Sequence, residues 1–240
     1  MIGTGTLINS AAIIAGGILG HFAAGFLGKS CRDSLNAVCG AGVIFIGIAG
    51  AMEGMLEIAD GGIESGKSML VILCLALGTL IGEIIGIEKG FERFGEWLKK
   101  KAGGGDDGFV NAFVTASLTV SIGAMAIIGA IKDGLQGDSS TLLVKSVIDF
   151  IIILIMASTK GLGCAFAAIP VFVFEGSITL LSRLVSPIMT DTAVSYISLI
   201  GSVLIFCIGV NILFDKKLRV ANMLPSVLLA VLAAYIPWSF

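Results

Sequence analysis

The chain has 240 residues, of which 56% are hydrophobic and 13% charged, and its formal net charge is -2; its mean hydropathy is +1.04. So few polar groups cannot cover the surface of a soluble domain, which leaves a membrane protein, and the near-neutral charge balance excludes nucleic acid as a partner. Five cysteines, an odd number without a C-x-x-C pair, read as small apolar residues rather than disulfides or metal ligands.

Apolar runs long enough to cross a hydrocarbon core of about 30 Å recur along the whole length. Eight spans are predicted, at about residues 4–26, 35–56, 68–88, 110–131, 141–158, 162–183, 192–214 and 220–238. The runs are uniformly apolar, not alternating, so membrane strands are disfavoured and residues 1–240 read as one all-α polytopic domain. No positively charged segment and A-x-A site mark a leader, so the first span is expected to be kept.

Span one carries Asn9, the pair Gly16 and Gly20, and then His21; span two carries Glu53. The connection after it, "GGIESGKS" at residues 61–68, matches the phosphate-loop pattern G-x-x-x-x-G-K-[ST]. That chemistry needs a strand before the loop and a soluble α/β core behind it, so with spans on both flanks no nucleotide is expected. Span three sets Gly78, Gly82 and Gly86 in one row, the small-xxx-small spacing that lets backbones touch in lipid, within the bundle or in a homo-oligomer. An offset of 62 also aligns Gly16, Gly20, His21 and Gly28 with Gly78, Gly82, Glu83 and Gly90, the mark of an internal repeat or a chance product of glycine-rich helices.

Residues 89–107, "KGFERFGEWLKKKAGGGDD", place Phe91, Phe94, Trp97 and Leu98 on one helical face. The segment is predicted to be a cytoplasmic interfacial helix followed by a glycine hinge, or a solvated connector with a greasy side. Span five, "LLVKSVIDFIIILIMAS", is apolar except for small hydroxyl residues and two charges, Lys145 and Asp149, four positions apart. An ionised side chain near a bilayer centre costs about 2.5–3.5 kcal/mol on insertion scales, so such residues normally face a bundle interior. Span six holds Pro170 in mid-run, where a kink and a freed carbonyl at Phe166 are expected, and Glu175 five positions on.

At about 1.5 Å per residue, Asp149 and Glu175 fall at one depth, roughly 12 Å below the outer end of consecutive antiparallel spans. Two carboxylates at one level beside a broken helix suit a proton or sodium site, with Lys145 and Asn9 assisting. The structural alternative is that Lys145 and Asp149 only neutralise each other. Glu53 lies in the same leaflet. A second polar layer near the other face holds His21, Glu83 and Asn222, read as an inner gate; Asn222 before "MLP" also fits an N-cap, with Pro225 in the first turn of span eight.

Lysines and arginines number eleven in the first, third, fifth and seventh connections and three in the others. By the positive-inside rule the odd connections are cytoplasmic and both termini lie outside. Neither H-E-x-x-H nor G-x-S-x-G occurs, and a single histidine argues against a His-based metal centre, so no enzyme activity, metal or cofactor is expected.

The stretches "IGAMAIIGAIKDGLQGDSSTLLVKSVIDF" and "RVANMLPSVLLA", with the N-terminal "GTLINSAAIIAGGILG", resemble the bacterial inner-membrane family catalogued as domain of unknown function 554. The resemblance covers essentially the whole chain, and its K-S-x-x-D and N-x-L-P stretches contain Lys145, Asp149, Asn222 and Pro225. Members are often labelled as transporters. The resemblance therefore implies a multi-pass protein of the bacterial inner membrane, without a substrate. From the residues themselves, the expectation is a transporter of a small solute or ion, coupled to protons or sodium. The alternatives are a non-transporting membrane scaffold and a passive channel.

Overall fold

A computed structural model describes residues 2–59, 62–101, 108–121, 124–214 and 218–236. Its first two helices, α1 (Thr4–Ala24) and α2 (Lys29–Met55), are followed by a hairpin of β1 (Leu56–Ala59) and β2 (Gly62–Ser65). Helices α3 (Ser68–Ile85), α4 (Ile87–Lys101), α5 (Phe109–Ser121), α6 (Ala124–Gln136) and α7 (Ser140–Lys160) come next. A 3-10 segment, Leu162–Ala167, leads into α8 (Ala168–Leu180); a short helix α9 (Ser182–Val185), α10 (Asp191–Phe214), α11 (Val220–Met223) and α12 (Pro225–Ala233) complete the chain.

Six of these segments are long and apolar enough to cross a membrane, with Leu162–Leu180 counted as one of them. A seventh forms if α5 and α6, bent by 63° at a short break, are taken as one span. Contacts at its two ends support that reading. Gly163, just after α7, packs on Phe109 at the start of α5, whereas Gly5 at the start of α1 donates its N–H to Asp133 near the end of α6. The bent pair thus covers the same depth as α7. The eighth expected span is shorter than predicted: Val220–Ala233 has 14 residues, about 21 Å at the helical rise and less than a bilayer core needs.

Glycine contacts give the directions. Gly5 meets Leu142, Gly16 meets Phe150 and Gly20 meets Leu154, so α1 and α7 run parallel. Gly40, Gly47, Gly50 and Gly54 meet Leu213, Phe206, Ser202 and Leu199 in that order, so α2 and α10 run antiparallel. Gly78 and Gly82 pack on the backbone of Ser226 and Asn222, joining α3 to α12 and α11. These are the directions of alternating passes. Gly86, the third of the predicted row, does something else: its φ is 73° and its N–H donates to the Gly82 carbonyl, so it terminates α3 in the left-handed conformation that glycine adopts without strain.

The hairpin adds two short strands to a fold expected to be wholly helical. Strands β1 and β2 pair antiparallel, with Leu56 opposite Ser65 and Ala59 opposite Gly62. An Asp-Gly pair between two short alternating runs is a strong hairpin signal. The four variable positions of the phosphate-loop pattern, residues 62–65, are β2 itself. They are extended and paired, and Lys67 Nζ donates to the Gly54 carbonyl at 3.2 Å, so no loop is left there to cradle phosphates.

Helix α4 packs Leu98 and Gly95 inward against α5, where Gly95 meets Phe113 and Val110. Phe94 stacks on Trp97 at 5.8 Å between ring centres, and Trp97 is half-exposed. The expected hinge at residues 102–107, and Lys216 and Lys217 of the charge count, lie outside the described residues. All five cysteines are free.

Candidate functional site

Helix α1 buries one continuous stripe: Gly5, Thr6, Asn9, Ser10, Ile13, Gly16, Gly17 and Gly20. Its spacing of three and four residues is that of a single helix face. The first half of the stripe is polar and the second half is glycine, so α7 approaches closely at one level and finds hydrogen-bonding groups at another.

At the polar level four side chains from three helices meet. Asn9 Nδ2 donates to Glu175 Oε1 at 3.0 Å. Lys145 Nζ pairs with Asp149, one turn away on α7, lies 3.5 Å from Glu175 Oε1, and donates to the Val120 carbonyl at 2.7 Å. Asn9, Lys145, Asp149 and Glu175 are all buried, none more than 5% exposed. The expected pair of carboxylates at one depth is thus a carboxylate, an ammonium and a second carboxylate, with Lys145 between. Asn9 Oδ1 and Glu175 Oε2 have no hydrogen-bond partner among the described residues.

The Val120 carbonyl is available because α5 ends at Ser121, where its axis breaks from that of α6. A carbonyl in the last turn of a helix has no partner in its own helix and can take the ammonium proton. A broken helix beside the cluster is therefore the fourth expected span; in the sixth, the expected Pro170 site coincides with a change from 3-10 to α-helix. Pro170 lies in the first turn of α8, just past the 3-10 segment, within a segment that still counts as one span. Glu53 is exposed and stands apart.

Of the expected inner gate, Glu83 and Asn222 stand side by side and His21 does not join them. Glu83 pairs with Arg219 at 3.0 Å, whereas His21 is exposed and its ring lies 6.1 Å from Phe22. Asn222 is buried and its Oδ1 accepts the Glu88 N–H at 2.8 Å. It therefore caps the start of α4 rather than its own helix; Pro225 does open α12.

A polar cleft of about 860 Å3 opens at the α4 end, lined by Glu88, Glu92, Glu96, Lys99, Lys160 and Arg219 among others. Partial burial, with the neighbouring Glu92, pushes the Glu88 carboxyl above its ordinary range. An apolar cavity of about 320 Å3 lies alongside, with Phe91, Ser121, Pro170, Phe174 and Pro225 in its wall. Leu118 borders both spaces, and neither is lined by the four clustered side chains.

Sequence reasoning missed Asp133, which is fully buried on α6 and accepts the Gly5 N–H at 3.0 Å. The available signal was its place in a buried row with Ala126 and Ala130, at helical spacing. It also missed the Thr6 and Thr179 hydroxyls, 3.4 Å apart across α1 and α8.

The sequence profile of the family described as "Protein of unknown function (DUF554)" matches residues 4–235. The "Uncharacterized membrane protein YdfK" of Bacillus subtilis (strain 168) is 30% identical over 236 residues, 98% of this chain and 97% of that protein. The "Uncharacterized protein YqgA" of Escherichia coli (strain K12) is 29% identical over 244 residues, 98% of each chain. No solved structure matches.

Proposed function

Since this chain belongs to the family described as protein of unknown function DUF554 and is a multi-pass membrane protein, we propose that it transports a small solute or ion across the bacterial inner membrane. In this reading a proton or sodium ion at Asp149 and Glu175 drives the movement. The observation that carries it is the charge count of the buried cluster: two carboxylates share one ammonium. In a low-dielectric interior an uncompensated carboxylate is costly, so one further positive charge is needed there. A proton or a monovalent cation supplies it, and its arrival or loss changes what holds α1, α7 and α8 together. No catalysis enters this reading.

The rival reading is a scaffold, in which the same residues only lock helices. It is favoured by the closure of the cluster from both cavities.

Thermal unfolding of the purified protein across sodium concentration and pH separates the two. A ligand at 100 times its Kd adds about 2.7 kcal/mol, so the wild type should respond to the coupling ion. Asp149→Asn and Glu175→Gln should fold and lose that response. If both keep the wild-type sodium and pH response, coupling through this cluster is wrong. The orientation, with the hairpin outside and α4 in the cytoplasm, is tested by single cysteines at Ser65 and Lys100 in a cysteine-free background. An impermeant reagent in intact cells should label only position 65.

A further inference from the structure

Asp133 poses a problem that its structural role leaves unsolved. One oxygen, Oδ2, accepts the Gly5 N–H at 3.0 Å and so satisfies a donor in the first turn of α1. The other, Oδ1, is buried with no partner among the described residues, although the residue is 0% exposed. Capping a helix explains the first oxygen only.

The next polar groups toward the cluster are the Thr6 and Thr179 hydroxyls, 3.4 Å apart and 2% and 3% exposed. Gly134, beside Asp133 in sequence, packs against the Thr179 carbonyl and Ser182, which brings this part of α6 to the level of Thr179. One turn farther in, Asn9 and Glu175 meet, and Glu175 Oε2 again has no partner. Thr6 is three residues from Asn9, and Thr179 is four from Glu175. Such neighbours on one helix face stand about 5–6 Å apart, a gap that a single water can bridge.

We infer that Asp133 and the Thr6–Thr179 hydroxyl pair form the route by which protons reach Glu175 from the bundle end where α1 begins. The inference rests on the coupling role proposed for Glu175. The chemistry favours the proton over a larger cation, because a hydroxyl both donates and accepts. In each transfer Asp133 Oδ1 takes a proton from the aqueous bundle end and passes it inward, every hydroxyl or water between takes one and releases another, and Glu175 Oε2 takes the last, so that Asp133 ends as it began. No charge is left on the bridging groups. The elements packed on Asp133 present the Gly5 N–H, Leu142, the Thr179 carbonyl and Ser182. The charged groups nearest in sequence on those elements, Lys132 and Arg183, are exposed, and Lys145 and Glu175 belong to the cluster itself.

The test is infrared spectroscopy of the full chain in nanodiscs, following exchange of carboxyl protons for deuterons after transfer to D2O. The Glu175 band is the one that titrates in the wild type and is lost in Glu175→Gln. Asparagine keeps an oxygen for the Gly5 N–H but carries no transferable acid proton. Asp133→Asn should therefore leave thermal stability nearly unchanged and slow exchange at Glu175 at least tenfold. Thr6→Val with Thr179→Val should slow it likewise, and this pair carries the test if Asp133→Asn does not fold. Unchanged exchange in the folded variants overturns the route while leaving Glu175 as a coupling residue. A wild type with no titrating Glu175 band overturns proton coupling at Glu175 and the route together, and a sodium response in thermal unfolding then marks sodium as the coupling ion.

Discussion

Along α2 and α10 the helices meet through five glycines: Gly40, Gly47, Gly50 and Gly54 press against Leu213, Phe206, Ser202 and Leu199, and Gly209 presses back on Ile44. Along α1, glycine serves the same purpose at Gly16, Gly17 and Gly20, but two and three turns earlier the stripe turns into Ser10, Asn9 and Thr6. Both interfaces satisfy the same demand, since lipid offers no hydrophobic drive between helices and close backbone packing must supply the attraction. Of these two, the α1–α7–α8 interface alone also encloses ionisable groups. In a bundle whose small residues suffice to join helices, buried charge is an added cost, and that points to use rather than assembly.

The difference can be broken most sharply at Lys145. Lys145→Met leaves two buried carboxylates without their ammonium, a change expected to cost about 3–5 kcal/mol. A melting curve should show a large fall, and Lys145→Met combined with Asp149→Leu should restore most of it. If the single substitution is harmless, the pair is not the electrostatic centre of this interface.

On the dry side, Gly47→Leu drives a side chain into the Phe206 backbone, where even a Cβ would stand 2.5 Å from its nitrogen. Gly82→Leu meets the Asn222 carbonyl in the same way. Overpacking of this kind costs about 1–3 kcal/mol, or more where backbone must move. Equal melting temperatures for wild type and both variants in detergent would place these faces in lipid instead.

Asn9→Leu sharpens the contrast from the polar side. It removes the donor at 3.0 Å from a buried carboxylate oxygen and should cost about 1–3 kcal/mol. A leucine added at a dry contact would act through volume alone, so only Asn9→Leu should also change the response to pH.

The smallest effects lie outside the spans. The Glu88 carboxyl is raised by burial and by Glu92, so the folded state holds its proton more tightly than the unfolded one. Stability from this group is fully present at low pH and falls as pH rises through the raised value. Glu88→Gln should therefore stabilise slightly at neutral pH and hardly at all near pH 4. Asp138 is the opposite case: hydrogen bonds from the Ser140 side chain and backbone hold its carboxyl low. Its contribution is present above the ordinary carboxylate range and is lost as pH falls, so Asp138→Asn should be slightly destabilising at pH 7 and neutral in acid. Thermal shifts of both variants across pH check the two signs.

Composition and run length determined the class and most of the helices, because a membrane span must be apolar over a fixed length and must satisfy its backbone internally. Spacing also determined which faces pack: Gly16 with Gly20, and Gly78 with Gly82, are the contacts expected of small residues four apart. Helical rise alone set Asp149 and Glu175 on one level. It could not place Lys145 between them, since that depends on how α7 is rotated against α8.

The hairpin was legible in "LEIADGGIES" but was hidden beside a longer helical signal. Tertiary structure alone decided the partners that cross between distant segments. The Val120 carbonyl reaches Lys145 because α5 breaks there, Glu83 finds Arg219 instead of His21, Asn222 caps α4, and Asp133 meets the start of α1. A sequence specifies each helix's own stripe through local periodicity, but the rotation and tilt that match one stripe to another come from packing the whole bundle.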